Sequence, residues 1–401
     1  MNLYAFELGR IKELALAEIE TLFGEDSLEE IINNYAIVKT EHTLDQQTQD
    51  RMGGTIKIMK VTSQDKIVST NPQELDQFFK EHVKKIFFDC LRTRDNSGKL
   101  LFAINLFNIP GKTNVLLKNL LIFSKKFLKA ATISSRFINK PWQNTSSAQV
   151  YKSRILEKGM EISILLSPKT HTLYTTQTLS VQNPDKYSLR DYKKPFRDSH
   201  LGMLPPKLAQ IMINLAEPAF DKPNGVIYDP FCGSGTVLME GLLMGKESHG
   251  SDILDRMVQY ATDNCSWLTE KLHLNNRTFK THLKDATKLT SEEIPKNINA
   301  IITEGYLGKP LHNLIPKDQR DKIFGELRTL HSAWLSNIHK LLPKGTTIVM
   351  CVTAFNTGRD VEHFPEFSKV ANQAGFKALK RYTYSRDSQI IFRDIMILEA
   401  I

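Results

Sequence analysis

The chain has 401 residues, 41% of them hydrophobic, with a formal net charge of +9 and a pI near 9.1. This length predicts two or three domains with packed cores, and no stretch approaches 18 apolar residues, which excludes a membrane-spanning helix. The positive charge favours polyanionic partners, although a merely soluble basic protein explains the charge equally well.

The four cysteines lie far apart, at Cys90, Cys232, Cys265 and Cys351. They form no CxxC pair and no zinc-ligand spacing, so neither a disulfide framework nor a metal site is predicted. Residues 1–23 carry early charged side chains and lack a clean apolar core, which argues against a signal peptide. We therefore expect a cytoplasmic protein with no membrane partner.

The first half of the chain alternates between strand and helix patterns. The spacing of apolar residues predicts strands at 3–6, 35–38, 55–61, 100–106 and 161–166, and helices at 13–23, 72–88 and 114–131. This order predicts an α+β half, divided into a segment over residues 1–60 and a domain over residues 61–167. Residues 168–204 are polar and are interpreted as a linker.

From Val226 onward, strand and helix patterns alternate regularly, after a helix at 205–215. Strands are predicted at 226–229, 248–252, 280–284, 299–303, 346–352, 376–382 and 390–399. This pattern is typical of an α/β fold with a doubly wound, Rossmann-like sheet over residues 205–401. The last two strands are predicted to form an antiparallel hairpin.

A glycine-rich turn follows the first of these strands. Its sequence, DPFCGSGT, comprises Asp229, Pro230, Phe231, Cys232, Gly233, Ser234, Gly235 and Thr236. The two glycines allow a sharp turn and a close approach of backbone to a ligand, and the following helix start offers free N–H groups. The spacing differs from that of a P-loop and from GxGxxG. An acidic residue before the turn suits S-adenosylmethionine, whose methionine end carries an ammonium group, better than a pyrophosphate.

Acidic residues stand at the ends of the next three strands as well. Asp252 is placed to hold ribose hydroxyls, Asp285 with Ala286 to contact an adenine amino group, and Glu304 follows the fourth strand. Each residue alone is more often a helix cap or a turn residue. Four acidic strand ends beside one glycine turn instead favour a nucleoside-binding site.

The DPFCGSGT turn resembles the first motif of class I S-adenosylmethionine-dependent methyltransferases. From His171 onward, residues 171–400 are similar to the THUMP-domain tRNA guanine-N2 methyltransferases, on the basis of Arg190-Asp191, Arg197-Asp198, residues 202–209 (GMLPPKLA) and residues 214–216. The earlier residues match only in layout, as a ferredoxin-like segment over 1–60 and a THUMP-like RNA-binding domain over 61–167. The resemblance implies S-adenosylmethionine as cofactor, tRNA guanosine at position 10 as substrate and, in eukaryotic relatives, a small activating protein subunit.

The fourth motif departs from that family, in which an Asp or Asn is followed by two prolines and an aromatic residue. Here Thr303 is followed by Glu304, Gly305 and Tyr306. The exocyclic amine of guanine is a poor nucleophile because its lone pair is delocalised into the ring. A carboxylate can accept its N–H groups, and an aromatic face can stack on a base that has left its helix.

Three interpretations of this departure stay open. In the first, Glu304 and Tyr306, with Thr303, hold a flipped guanine in an altered geometry. In the second, the chain is an RNA-binding protein that keeps a vestigial cofactor pocket and does not methylate. In the third, it is an amino methyltransferase acting on ribosomal RNA or DNA.

Basic residues are candidates for RNA or cofactor contacts. They are Arg197, His200 and Lys207 before the turn, and Lys125, Lys126 and Arg136 in the first half. Lysine and arginine side chains bind phosphates without reading the base sequence. A solvated charged surface explains them equally well, and Phe123 and Phe127 on the same helix are predicted to pack in the core.

Overall fold

A computed structural model describes residues 1–67, 71–93, 98–197, 203–220, 225–386 and 389–401. The chain divides into two compact units. The first contains Met1–Arg10, Phe23–Asp50 and Thr55–Pro184, and the second contains Ile11–Leu22, Arg51–Gly54 and Asp185–Ile401. None of the helices in the described ranges is both long enough and apolar enough to cross a membrane.

The elements are numbered in chain order. The strands are β1 (Asn2–Leu8), β2 (Leu28–Ile32), β3 (Tyr35–Thr40), β4 (Thr55–Lys66), β5 (Leu100–Phe107), β6 (Ser135–Phe137), β7 (Gly159–Leu166), β8 (Thr172–Val181), β9 (Val226–Asp229), β10 (Glu247–Asp252), β11 (Phe279–Leu283), β12 (Ile298–Thr303), β13 (Thr347–Asn356), β14 (Val361–Glu362), β15 (Phe376–Tyr384) and β16 (Ile391–Ala400). The helices are α1 (Lys12–Phe23), α2 (Gln46–Arg51), α3 (Pro72–Thr93), α4 (Thr113–Ala130), α5 (Ser147–Ser153), α6 (Ile155–Lys158), α7 (Pro184–Tyr192), α8 (Pro206–Leu215), α9 (Thr236–Leu243), α10 (Asp255–Lys271), α11 (Lys317–His339) and α12 (Phe367–Gln373).

The first unit is built on a mixed sheet with the strand order β2-β3-β1-β4-β8-β7-β5-β6. Helices α3 and α4 pack their apolar faces on the β5 and β7 side of this sheet, around Phe79, Phe102 and Leu120. Phe123 and Phe127 lie against the same core with ring centroids 6.4 Å apart. Their predicted role in packing is therefore confirmed.

Strand β8 corrects the prediction that residues 168–204 are a linker. It pairs with β4 and β7, and most of its residues are buried. Its threonines make it look polar, yet two of their hydroxyls find acceptors inside the sheet. The Thr176 hydroxyl donates to the Ser163 carbonyl at 3.0 Å, and the Thr178 hydroxyl donates to the Glu161 carboxylate at 2.6 Å.

Residues 1–60, predicted as a ferredoxin-like segment, contribute to both units. Most of helix α1 and residues 51–54 belong to the second unit. The buried Glu18 carboxylate accepts hydrogen bonds from the backbone N–H groups of Gly53 and Gly54, at 2.9 and 2.8 Å, and from the Asn214 amide at 2.7 Å. Burial raises the pKa of Glu18 to about 7. A domain boundary at residue 60 stays a prediction.

The second unit contains a sheet with the order β11-β10-β9-β12-β13-β16-β15. The strands from β9 to β13 run parallel, and β16 lies antiparallel between β13 and β15. The predicted doubly wound α/β sheet with a terminal antiparallel hairpin is therefore confirmed. The strand order reverses at β9, so the carboxyl ends of β9 and β12 open a crevice where such sheets bind ligands.

Candidate active site

A cavity of about 650 Å³ lies in the second unit at the carboxyl ends of the parallel strands. Its lining includes most of the residues predicted to bind a cofactor or a base, namely Asp229, Pro230, Phe231, Cys232, Gly233, Ser234, Thr236, Asp252, Asp285, Ala286, Glu304 and Tyr306. The remaining two, Gly235 and Thr303, lie next to this lining in the chain. Residues that are distant in sequence are thus brought to one place by the parallel sheet.

The glycine turn bends through two residues with left-handed backbone geometry, Gly233 with φ 50° and Gly235 with φ 82°. Only glycine adopts this geometry without strain. A β-carbon added to Gly235 would lie 3.0 Å from the Ala261 Cα atom, whereas one added to Gly233 would meet nothing within 4 Å. Close packing therefore requires glycine at 235, and open space lies beside the backbone at 233.

Asp229 is a buried carboxyl group, 3% exposed, at the end of β9. It accepts a hydrogen bond from the Phe231 backbone N–H at 3.0 Å and another from the Thr303 hydroxyl. Burial, with a smaller contribution from the nearby carboxylates of Asp252 and Glu304, raises the pKa of Asp229 to about 7. A cation in the cavity would relieve this unfavourable charge, so the environment suits a positively charged ligand.

Thr303, which the sequence places beside the predicted base-binding residues, is fully buried beneath the cavity. Its hydroxyl donates to Asp229 and accepts from the Gly305 backbone N–H at 3.1 Å. The side chain therefore connects the glycine turn to the segment that carries Glu304. This geometry supports a positioning role for Thr303.

Two further carboxylates face the cavity from the next strand ends. The Asp252 carboxylate accepts hydrogen bonds from the backbone N–H groups of Gly233 and Leu254, at 3.0 and 2.9 Å. Burial raises the pKa of Asp252. The Asp285 carboxylate accepts hydrogen bonds from the hydroxyl and the backbone N–H of Thr287, at 2.7 and 2.9 Å. These hydrogen bonds lower the pKa of Asp285. Both carboxylates are held in place and can still accept hydrogen bonds from donor groups of a ligand.

Glu304 is held by an arginine that the sequence motifs do not identify. The Arg393 Nε atom donates to the Glu304 Oε1 atom at 2.6 Å, and these side chains are only 7% and 20% exposed. Tyr306, two residues on, is 46% exposed and lines the same cavity. A signal for this arginine in the sequence is the adjacent charged residues Arg393 and Asp394, which lie within a mainly apolar final strand.

Lys194 is a second residue that sequence reasoning missed. Its buried ammonium lies 3.3 Å from the Ser234 hydroxyl and 3.2 Å from the Thr236 hydroxyl, and burial lowers its pKa to about 8. Asn264 bonds both the Phe196 backbone and the Ser234 carbonyl. The polar segment before the glycine turn is thereby fastened to the turn itself.

The predicted basic residues are not brought to the cavity. The Arg197 guanidinium lies over the Tyr192 ring at 5.1 Å and the Lys207 ammonium over the Tyr187 ring at 4.9 Å, and the described lining includes neither residue. Lys125, Lys126 and Arg136 lie in the first unit, and their side chains are exposed. His200 and Asp198 lie outside the described residues. Among the described residues, no group of three or more His, Cys, Asp or Glu could hold a metal ion.

Comparison with known proteins relates the chain to methyltransferases. Residues 190–367 match the family described as RMKL-like, methyltransferase domain, and residues 57–263 match a family described as DNA methylase. The chain is 30% identical over 176 residues to tRNA (guanine(10)-N2)-dimethyltransferase of Methanothermobacter thermautotrophicus, which covers 44% of this chain and 46% of that protein. It is also 30% identical over 126 residues to "Probable tRNA (guanine(10)-N2)-dimethyltransferase" of Methanothermococcus thermolithotrophicus, covering 30% of this chain and 70% of that protein.

The chain spans about half the length of the curated relatives that it matches first. Among solved structures, TrmN from Thermus thermophilus aligns with a TM-score of 0.55 and 13% identity, over 100% of this chain and 99% of that chain. At this identity the similarity concerns the fold alone. It confirms the predicted Rossmann-like, class I methyltransferase fold.

Proposed function

Because the chain belongs to the family of tRNA guanine-N2 methyltransferases, we propose that it transfers a methyl group from S-adenosylmethionine to the N2 amino group of a guanosine in tRNA. From its relatives we place this guanosine at position 10. One observation carries the proposal: a single cavity combines the glycine turn and its acidic strand ends with Glu304 and Tyr306.

The first part of the proposal concerns the cofactor. Asp229 is a buried carboxyl group that suits the ammonium of the methionine end, and open space beside Gly233 admits a ligand close to backbone. Asp252 is assigned to the ribose hydroxyls, and Asp285 with Ala286 to the adenine ring. When bound there, S-adenosylmethionine supplies a sulfonium methyl group, whose transfer to N2 releases S-adenosylhomocysteine and one proton.

The second part concerns the base. Glu304 is assigned to accept hydrogen bonds from the guanine amino group, which restores nucleophilic character to its nitrogen. The exposed Tyr306 ring offers a stacking surface, and base stacking on an aromatic side chain contributes about 1–3 kcal/mol. A guanine reaches this cavity only after leaving its stack in the tRNA. Positioning of the two reactants then supplies much of the rate acceleration.

The third part concerns the first unit, which we assign to binding of the tRNA body as a THUMP-like module. Its support is the exposure of Lys125, Lys126 and Arg136, whose charges suit phosphate contacts. The small activating protein subunit stays a prediction.

A second candidate function is methylation of an amino group in DNA, favoured by the DNA methylase match over residues 57–263. That match ends before Thr303, so it does not include the segment that carries Glu304 and Tyr306. A third candidate is RNA binding without catalysis.

The test incubates the purified full chain with labelled S-adenosylmethionine and either bulk unmodified tRNA, ribosomal RNA or DNA, followed by digestion to nucleosides. Labelled N2-methylguanosine or N2,N2-dimethylguanosine from tRNA is the expected product. Label in adenine or cytosine of DNA would favour the second candidate. No transfer, despite measurable binding of both cofactor and tRNA, would favour the third.

The variant Glu304→Gln examines the base site. An amide presents an NH2 donor group in place of one carboxylate acceptor oxygen, so we expect transfer to tRNA to fall by about 100-fold or more. Cofactor affinity, measured by calorimetry, should stay unchanged. The exposed Glu292→Gln serves as a matched control with wild-type transfer. Unchanged turnover in Glu304→Gln would contradict the assigned role.

A further inference from the structure

The base site contains a largely buried ion pair between Arg393 and Glu304, two residues that are distant in the sequence. Arg393 lies on β16, between its register partners Thr353 on β13 and Tyr384 on β15. Its guanidinium donates a hydrogen bond to Glu304, which follows β12. Both side chains line the cavity that Tyr306 also lines. A guanidinium stays charged at every physiological pH and presents only donors, so it stabilises its partner as a carboxylate and restrains its position.

An ionised carboxylate accepts hydrogen bonds and cannot donate one. The Watson–Crick edge of guanine places two donors side by side, the N1–H and the N2 amino group. Adenine and cytosine instead place their amino donor beside a ring nitrogen that is an acceptor. A carboxylate that takes the amino group of these two bases would face that acceptor with an unpaired oxygen, which is unfavourable in a partly buried site.

We propose that Arg393 fixes Glu304 as an acceptor-only carboxylate, and that this ion pair makes the base site selective for the paired N1–H and N2–H donors of guanine. The inference rests on the proposed function, because it concerns the base that the proposed reaction uses. Arg393 acts through Glu304 and is therefore a positioning residue.

The probe is 2-aminopurine, which keeps the N2 amino group of guanine but has an acceptor in place of the N1–H. It is built into the tRNA by ligation, at the position that the wild-type protein methylates. A site built to bond a donor rejects an analogue that lacks it by large factors, so we expect the wild type to prefer guanine by about 100-fold or more. The readout is the ratio of initial methylation rates for the two tRNAs.

Two variants change this ratio in different ways. In Glu304→Gln the amide can donate to the acceptor N1 of 2-aminopurine and accept from its N2–H, so the preference should reverse toward 2-aminopurine. In Arg393→Met the carboxylate loses its fixed position, so the guanine preference should fall by about 10-fold, and Arg393→Lys should retain part of it. Arg381→Met, an exposed arginine on the adjacent strand β15, should keep the wild-type ratio.

Cofactor binding, measured by calorimetry, establishes that each variant is folded. If Arg393→Met does not fold, the result for Glu304→Gln tests the inference by itself. Wild-type transfer to 2-aminopurine within about threefold of guanine would overturn the inference. The same conclusion would follow if folded Arg393→Met kept the wild-type ratio, or if Glu304→Gln gained nothing for 2-aminopurine. Transfer to no guanosine at all would overturn the proposed function together with this inference, whereas transfer without discrimination would overturn the inference alone.

Discussion

The raised pKa of Asp229 leads to a quantitative prediction of how cofactor affinity depends on pH. Burial holds the pKa of this carboxyl near 7 in the free protein, well above its ordinary value of 3.8. A bound cation favours the ionised form, so binding below pH 7 must release a proton. Affinity for S-adenosylmethionine should therefore rise with pH and level off above 7. With one proton and a pKa of about 7, the dissociation constant should be about 10-fold larger at pH 6 than at pH 8.

Isothermal titration calorimetry at both pH values measures this change. Repeating the titration in two buffers of different ionisation enthalpy counts the protons released, and we expect close to one at pH 6 and almost none at pH 8. Asp229→Asn should bind more weakly at pH 8 and lose the pH dependence. Because burial also raises the pKa of Asp252, Asp252→Asn separates the contribution of that carboxyl. Equal affinity at pH 6 and pH 8, or an unchanged dependence in Asp229→Asn, would refute the reasoning.

Two further predictions concern single residues of the second unit. Gly233→Ala and Gly345→Ala each place a side chain at positive φ with open space around it, at a cost of about 1–2 kcal/mol. Only Gly233→Ala should also weaken cofactor binding, by about 10-fold or more, and equal affinities in the two variants would contradict the placement of the cofactor. Glu18→Ala leaves the Gly53 and Gly54 N–H groups without their acceptor, and we expect urea denaturation to show a loss of about 2–5 kcal/mol. Glu13→Ala, exposed on the same helix, should cost less than about 0.5 kcal/mol, and a similar loss in both would argue against the buried hydrogen bonds as the cause.

Local patterns in the sequence were sufficient for the alternating strands and helices of the second unit and for the glycine turn. Each of these features depends on residues that are neighbours in the chain, such as the positive-φ glycines 233 and 235 between a buried strand and helix α9. The strand order then follows from general rules for α/β folds, which place the acidic strand ends at one edge. Local sequence and these rules together therefore assign Asp229, Asp252 and Glu304 to one site.

Interactions between distant residues were decided only by the tertiary structure. Arg393 meets Glu304 across 89 positions, and no local periodicity links the two residues. Helix α1 joins the second unit because its buried Glu18 finds donors at Gly53, Gly54 and Asn214. Strand β8 resembles a linker in the sequence because its threonines are polar, and only the sheet supplies the acceptors for the Thr176 and Thr178 hydroxyls. The sequence by itself determined the sheet and the glycine turn, whereas packing decided which charged groups face each other inside the cavity, because burial and pairing are properties of the folded chain.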